Sequence, residues 1–344
     1  MIFALSILLS VFWFTPNQVS TADNKEVICF VYHRFGDSRY PSTNVSLEDF
    51  RAHLEHLKAN KFQVLTFEEA IDYLKSDKSP RKTAVITIDD GYKSFFKNGL
   101  PLLQEFGFPA TLYINTETVG GSDYMDWEEL AAAKKVGIEI GNHTHSHAYF
   151  LDLPESKRYD AFEKELKQSQ LIIKENLGSE PTTFAYPYGE LDYKMQQIVE
   201  KVGFKGAAAQ NSGVVSASSD LMRCPRFPMS EAYADLKKFI EKSRMHGFTI
   251  LSETPKSFLL SSDEDSPELT LEIANENLLV QNINCFIQGS GCDLKAEAFG
   301  EGKTKITIRP TTKISIRRRT LYTITAQDQS GDWHWFSHLW IAPK

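Results

Sequence analysis

The stretch TAVITIDDGY, from Thr83 to Tyr92, limits the folds open to this chain more than any other. Val85, Ile86 and Ile88 form a short β-branched run without charge, the pattern of a strand buried on both faces of a parallel sheet. The run ends in two adjacent carboxylates, Asp89 and Asp90, followed by a glycine. Two acids at the mouth of a buried strand repel each other and lose solvation, so they require a cation or a proton between them. An isolated Asp-Asp-Gly also reads as a capped strand-to-helix turn. The rest of the chain decides between these readings.

Strands and helices alternate on either side of it. Val27–Tyr32 reads as a first buried strand ending in His33-Arg34-Phe35, and Ser46 caps a helix carrying Phe50, Leu54 and Leu57 at helical spacing. His53 and His56 lie in that helix as packing or surface residues. Val64-Leu65 gives a short strand, and Thr66 with Glu69 forms a capping box for the helix to Tyr73. Strands are then expected at Ala110–Ile114, Ile138–Ile140, Thr182–Tyr186 and Gly206–Ala209. Helices are expected at Trp127–Lys135, Glu155–Asn176, Tyr193–Val202 and Ala232–Lys242. About seven such units over roughly 230 residues predict an α/β fold, a distorted (β/α) barrel closed or nearly closed.

Beyond about Leu251 the helical period is lost. Pro255, Ser261-Ser262 and the acids Asp263 to Asp265 read as a linker. Leu269–Ile273, Leu278–Ile283, Lys305–Arg309, Lys313–Arg317 and Thr320–Ala326 then alternate apolar with polar residues, which predicts a small antiparallel β-sandwich. The expected organisation is a leader over residues 1–22, a barrel over 23–252, a linker over 253–266 and a β-sandwich over 267–344.

The leader rests on the apolar run Ile2–Phe14, too short to span a hydrocarbon core of about 30 Å and followed by small residues at Ser20-Thr21-Ala22. It predicts an exported, secreted or periplasmic or cell-surface protein with no stable membrane span. Export gives the 4 cysteines meaning: Cys285 and Cys292 bracket a short glycine-containing loop that a disulfide would close, while Cys29 and Cys224 are weak candidates for pairing. A net charge of −7 with no basic stripe argues against a nucleic-acid partner, and Arg317-Arg318-Arg319 is too short to change that.

In a parallel α/β barrel the C-terminal ends of the strands share one rim, where active sites form. Asp89 and Asp90 arrive there on one strand; Ile138–Ile140 delivers Gly141, Asn142 and then HTHSH, His143 to His147, to the same rim. His143 and His147 are spaced i, i+4 and can converge on one cation, with His145 pointing elsewhere. Two imidazoles and one carboxylate leave coordination positions open, as expected of a catalytic divalent metal. Zinc is the first expectation, with cobalt, nickel or iron also compatible.

The sequences ITIDDGY, GNHTHSH and FAYPYG, in this order and at roughly these distances, resemble the polysaccharide deacetylases of carbohydrate esterase family four. The resemblance covers about Val27 to Phe248 and implies metal-dependent removal of acetyl groups from a glycan, a hydrolase acting on carbon–nitrogen bonds other than peptide bonds. It implies Asp90, His143 and His147 as metal ligands and Asp89 as general base. It also implies the backbone N–H of Tyr188 as oxyanion donor, with Tyr186 and Pro187 of the same motif, together with Arg223 and Arg226, expected to contact substrate.

Several parts of the family pattern are absent. Ala185 stands where many members carry an Arg that orients the base, so another group must hold Asp89; Arg223 and Arg226 are the candidates. No Asp-Trp pair is recognisable across Met222–Met229, and Thr249–Ser252 lacks the late Leu-x-His that supplies a general acid. His33, next to the first strand, is the candidate for acid or substrate ligand, and Tyr32-His33-Arg34-Phe35 resembles the branch acting on exported poly-N-acetylglucosamine.

Trp127 reads either as a helix entry or as a wall of the substrate cleft. Trp333, Trp335, Phe336 and Trp340 read either as sandwich core or as a platform for sugar rings. The expected partner is an acetylated polysaccharide or oligosaccharide, and the expected function is N-deacetylation of N-acetylglucosamine units. An O-acetyl esterase on acetylxylan or a similar glycan, and an inactive barrel acting in glycan binding or adhesion, are the alternatives.

Overall fold

The computed structural model describes residues 25–344 apart from Ser262, Asp263, Glu276 and Ser315. The expected leader lies outside the described residues. Among those described, no helix is long and apolar enough to cross a membrane.

The chain opens with β1 (Glu26–Tyr32), the short β2 (Arg34–Phe35) and β3 (Asn44–Val45), which pair with each other, and β4 (Gln63–Leu65). The charge-free run forms β5 (Thr83–Ile88), every residue of which is buried. After it come β6 (Ala110–Ile114), β7 (Ile138–Asn142), β8 (Thr183–Ala185) and β9 (Gly206–Ala208). The short β10 (Val215–Ser216) and β11 (Phe227–Pro228) follow. The spatial order is β10-β1-β5-β6-β7-β8-β9, with β4 also beside β5 and β11 also beside β1. Except for β10, whose pairing with β1 is antiparallel, all these ladders are parallel.

What nearly closes this curled sheet is an irregular segment. Cys224 bonds back to β9 through its N–H to Ala207 O (2.8 Å) and its carbonyl from Ala209 N (2.8 Å). Three residues later, β11 pairs with Phe30 and Val31 of β1. One strap therefore touches the last and the first parallel strands.

The helices follow local chemistry. Helix α1 (Leu47–Ala59) is capped by Ser46, whose side chain accepts from Asp49 N. The capping box at Thr66 and Glu69 opens α2 (Phe67–Lys75), and a second box, Asp126 with Glu129, opens α4 (Trp127–Lys135) behind the shorter α3 (Leu100–Phe106). The long α5 (Glu155–Leu177) buries Phe162, Leu166, Ser169 and Ile173 on one face, and α6 (Tyr193–Val202) is capped by Asp192. The last helix, α7 (Leu236–Lys242), starts later than its sequence pattern suggests because Asp235 supplies the cap, after a separate turn at Glu231–Tyr233. His53 is fully buried and bridges Tyr32 Oη (2.9 Å) and Ala234 O (2.7 Å); burial pushes its pKa down to about 4.

The C-terminal part has two four-stranded sheets. Its strands are β12 (His246–Gly247), β13 (Ile250–Thr254), β14 (Leu269–Ala274), β15 (Asn284–Ile287), β16 (Cys292–Ala298), β17 (Lys303–Pro310), β18 (Arg319–Gln327) and β19 (Trp333–Ile341). One sheet has the order β12-β19-β18-β15 and the other β13-β14-β17-β16. Leu269, Leu271 and Ile273 of β14 meet Ile306 and Ile308 of β17 and Tyr322 and Ile324 of β18 in a common core.

Some sequence expectations are displaced here. The segment expected as a strand over Leu278–Ile283 contains instead a turn at Val280–Asn282, and pairing starts at Asn284. The described residues of 313–317 form no strand; β17 ends at Pro310 and β18 begins only at Arg319. β12 and β13 already belong to the sandwich although the sequence pattern places them before or across residue 253.

Phe258 and Leu260, inside the expected linker, are buried; Leu260 N and Phe258 O bond Ile341 on either side (2.8 and 2.7 Å). Phe258, Leu339 and Ile341 share one apolar cluster with Phe150, Phe184, Tyr186 and Val199 of the α/β part, so the two parts are joined by a continuous core. Cys285 and Cys292 form the disulfide, whereas Cys29 and Cys224 are free and buried.

Candidate active site

β5 carries Asp89 and Asp90 out of the sheet. Asp89 N donates to Tyr32 O of β1 (2.9 Å), which continues the ladder one residue further. Asp90 and Gly91 then take positive φ (73° and 74°), and the chain turns sharply over the rim. The turn is pinned by Met125 N on Gly91 O (2.9 Å) and Lys93 N on Asp123 O (2.9 Å).

β7 delivers the histidines. Its last residue, Asn142, accepts from Thr144 N at Oδ1 (2.8 Å), while Thr144 and His147 adopt positive φ (68° and 55°). Glu165 of α5 holds the turn from below: its carboxylate accepts from His145 N (3.1 Å), Ser146 N (2.8 Å) and Ser146 Oγ (2.7 Å). His145 is turned away and pairs with Thr116 Oγ1 (2.8 Å). Non-glycine residues with positive φ are uncommon, and Asp90, Thr144, His147 and Tyr188 (φ 58°) bring such residues together at the rim.

Asp90, His143 and His147 come together: each offers one ligand atom, all within 4.8 Å of one another. His143 Nδ1 faces the Ala185 carbonyl (2.7 Å), an acceptor only, so the proton sits on Nδ1 and Nε2 presents a lone pair. His147 Nε2 lies 3.1 Å from that atom, and both lie 3.4–3.5 Å from Asp90 Oδ1. Two imidazole nitrogens and a carboxylate oxygen face one another at these distances. The donor set of two nitrogens and one oxygen fits a divalent transition ion.

The electrostatics agree. Burial acts to raise the Asp90 carboxyl, but the His143 imidazole, and then His33 and His147 around it, outweigh that and hold it below its ordinary range. Burial, and then His143, push His147 down to about 4, so it is neutral at pH 7.

Asp89 is wholly buried and does not join that cluster. Arg226 grips it with two parallel bonds, NH1 to Oδ1 (2.7 Å) and NH2 to Oδ2 (2.8 Å), while NH1 also reaches Thr87 Oγ1 (3.0 Å) and Nε reaches Ala209 O (2.9 Å). Burial alone would raise this carboxyl; the Arg226 charge outweighs it, so Asp89 is held ionised. Arg226 lies on the strap that nearly closes the sheet, which is why a residue distant in sequence reaches the place that Ala185 leaves empty.

The remaining expected residues separate. His33 follows β1, is half-buried, and acts electrostatically on Asp89, Asp90 and His147. Tyr188 lies on a turn whose Gly189 has φ 69° and no room for a Cβ against Gln210 (2.4 Å). The Tyr188 ring stands 4.4 Å from that of His147 and stacks on Tyr149 at 3.8 Å.

Tyr186 is fully buried, with its hydroxyl on Met222 O (2.9 Å), and Pro187 is buried beside it; both pack the core and offer no surface to a glycan. Arg226 likewise has no surface for substrate and serves Asp89 instead. Arg223 points to the sandwich and pairs with Glu253 (2.6 Å) and Asp220 (3.3 Å). Trp127 opens α4 and packs against the main apolar core. Glu165 carried no sequence signal, since its role depends on α5 crossing beneath a turn some twenty residues earlier.

Residues 76–207 match the polysaccharide deacetylase family model. Among curated proteins, the poly-beta-1,6-N-acetyl-D-glucosamine N-deacetylase of Staphylococcus aureus (strain COL) is 28% identical over 236 residues, 65% of this chain and 79% of that protein. The fold is shared with the solved deacetylase PplD of Streptococcus pyogenes in complex with acetate (TM-score 0.58, 21% identity, 63% of this chain and 98% of that one). It is shared also with IcaB from Ammonifex degensii (TM-score 0.56, 24% identity, 64% and 98%). Over residues 76–207 the chain is thus similar to polysaccharide deacetylases.

Proposed function

We propose that the protein hydrolyses the acetamide of N-acetylglucosamine units in an exported polysaccharide, releasing acetate. The observation that carries this is the Asp90, His143 and His147 cluster beside a separate, Arg226-held Asp89. These residues divide the two duties that the chemistry needs: one group collects ligands, the other stays free to accept a proton. The S. aureus relative is named for the same activity on a β-1,6-linked polymer, which supports the choice of substrate.

Asp90, His143 and His147 would hold a divalent metal, zinc or else cobalt, nickel or iron. When bound, such an ion lowers the pKa of water and polarises the acetyl carbonyl. Asp89 takes the proton of the attacking water at a carboxylate oxygen. Arg226 keeps that carboxylate ionised and aimed. The backbone N–H of Tyr188 donates to the oxyanion, and the positive φ of that residue sets the direction of its peptide. His33 supplies the proton that the departing amine requires. The expected leader would export the chain to where such polymers lie.

Acetate release from poly-β-1,6-N-acetylglucosamine, acetylated chitooligosaccharides and acetylxylan, with zinc, cobalt or nickel added, tests this reading. Release from the first two, lost in Asp89→Asn, supports it. Binding of oligosaccharide without any acetate released would overturn it, and release from acetylxylan alone would move it to O-acetyl esters.

A further inference from the structure

The arginine run 317–319, too short to indicate a nucleic-acid partner, reaches the active-site rim. Arg318 donates from Nε and NH2 to the two oxygens of Glu190 (2.7 Å each) and from NH1 to both oxygens of Asp152 (2.8 and 2.9 Å). Its guanidinium also lies 4.2 Å from the Tyr149 ring centroid. Arg319 donates from NH1 to Tyr188 O (3.2 Å) and lies 3.6 Å from Glu190. The main-chain N–H of Lys344 adds a further bond to Asp152 (2.9 Å).

These contacts tie together two separate pieces of the rim. Asp152 and Tyr149 follow His147 on one segment; Tyr188 and Glu190 lie on another. The Tyr149 and Tyr188 rings already stack between them, nearly parallel at 3°. Tyr188 is a non-glycine residue at φ 58°, a conformation that persists only when its surroundings hold it. A bidentate guanidinium fixes direction as well as distance, which a single ammonium does not.

We propose that Arg318 and Arg319, supplied by the C-terminal sandwich, are positioning residues that hold the Tyr188 turn in register with His147, making the sandwich part of the active site. The proposal rests on the deacetylase reading for its effect on rate. Neither arginine belongs to the segment 76–207 that matches the family, and neither touches the Asp90, His143 and His147 cluster. They act on turnover through Glu190, Tyr188 and Tyr149, so losing them should slow turnover more than it weakens binding.

The test uses the full exported chain carrying Arg318→Ala, Arg318→Lys, Arg319→Ala or Arg317→Ala, the last as a control. Arg318→Ala is expected to lower kcat by about tenfold to a hundredfold per folded molecule, with KM nearly unchanged. Arg318→Lys should recover part of that loss, and Arg319→Ala should lose about tenfold or less. Hydrogen exchange of the metal-free protein reads the turn without activity: amides of 186–191 should exchange faster in Arg318→Ala, while those of β18 and β19 stay protected.

A lower melting temperature with unchanged kcat per folded molecule, and unchanged exchange at 186–191, would overturn the proposal. If the wild type released no acetate from any substrate, the deacetylase reading would fall, yet the exchange measurement would still decide whether the arginines hold the turn. If Arg318→Ala does not fold, Arg318→Lys and Arg319→Ala carry the same two readouts.

Discussion

The two halves of the chain treat buried polarity in opposite ways. In the α/β half, Asp89, Arg226, Asn142, His143 and Thr87 are fully or almost fully buried at the strand ends, and each is matched by a partner from another element. In the sandwich, the buried faces of β14, β17 and β18 are largely Leu, Ile, Ala, Thr and Tyr, and those strands bury no charged side chain. The first half spends stability on a preorganised site; the second is an ordinary core that lends the site a few side chains at its edge. Between them lies the Arg223, Glu253 and His338 group, where buried charge reappears at the seam.

If that contrast is correct, the largest effects come from the buried polar groups of the first half. Asp89→Asn keeps the shape but removes the proton acceptor, and acetate release should fall by about 10²–10⁴-fold. Assays of the variant with metal supplied in excess check this, since its Asp90, His143 and His147 cluster is intact.

Arg226→Ala should be next. It leaves a buried carboxylate without its partner, costing about 3–5 kcal/mol in urea unfolding at neutral pH. The sign with pH follows from Asp89 being held below its ordinary value. Its contribution is present above the unfolded carboxylate pKa and is lost as pH falls toward the folded one. In Arg226→Ala the acid limb of the rate profile should move to higher pH; a limb that stays put would break the assignment of Asp89 as base.

At the seam, Glu253 is the test. Burial would raise it, but the hydrogen bond from His338 and the charges of His338 and Arg223 bring it from 4.5 down to about 2. Its contribution is therefore present above about pH 4.5 and lost as pH falls toward about 2. Glu253→Gln should cost about 1–3 kcal/mol at pH 7 and flatten the stability curve over that window.

The smallest effect is expected in the sandwich. Replacing Cys285 and Cys292 by serine opens a short surface loop, costs at most about 2–3 kcal/mol and leaves acetate release unchanged. The buried Cys29 thiol, pushed up to about 12 by burial, should not react with a thiol reagent before unfolding. Labelling of the native protein would show that the strap near Cys224 opens.

The motifs carried most of the site. The charge-free run of β5 and the histidines after β7 come together because strand ends in a parallel sheet share a rim. The expected helical turn over His143–His147 does not form, since Thr144 and His147 take positive φ, and the two imidazoles converge through an irregular turn instead. Tyr186 and Pro187 were legible as neighbours of Tyr188, but side-chain direction was not: after β8 Tyr186 and Pro187 are buried and Tyr188 is the one beside His147. The sandwich was legible as alternation, while its first strands were not, because β12 and β13 are short and gain their partners only from β19 and β14.

The sequence alone determined the succession of strands and helices along the α/β part, the pair of acids at the end of one strand and the histidines at the end of another, since these follow from local periodicity and motif position. Only the tertiary structure decided what accompanies them. Arg226 reaches Asp89 across 137 residues because a strap joins the first and last strands. Arg318 reaches Glu190 across 128 because the sandwich docks on an apolar cluster shared by both halves. Such long-range partners are set by how the sheet closes and how its two parts pack, and neither leaves a periodic trace in the chain.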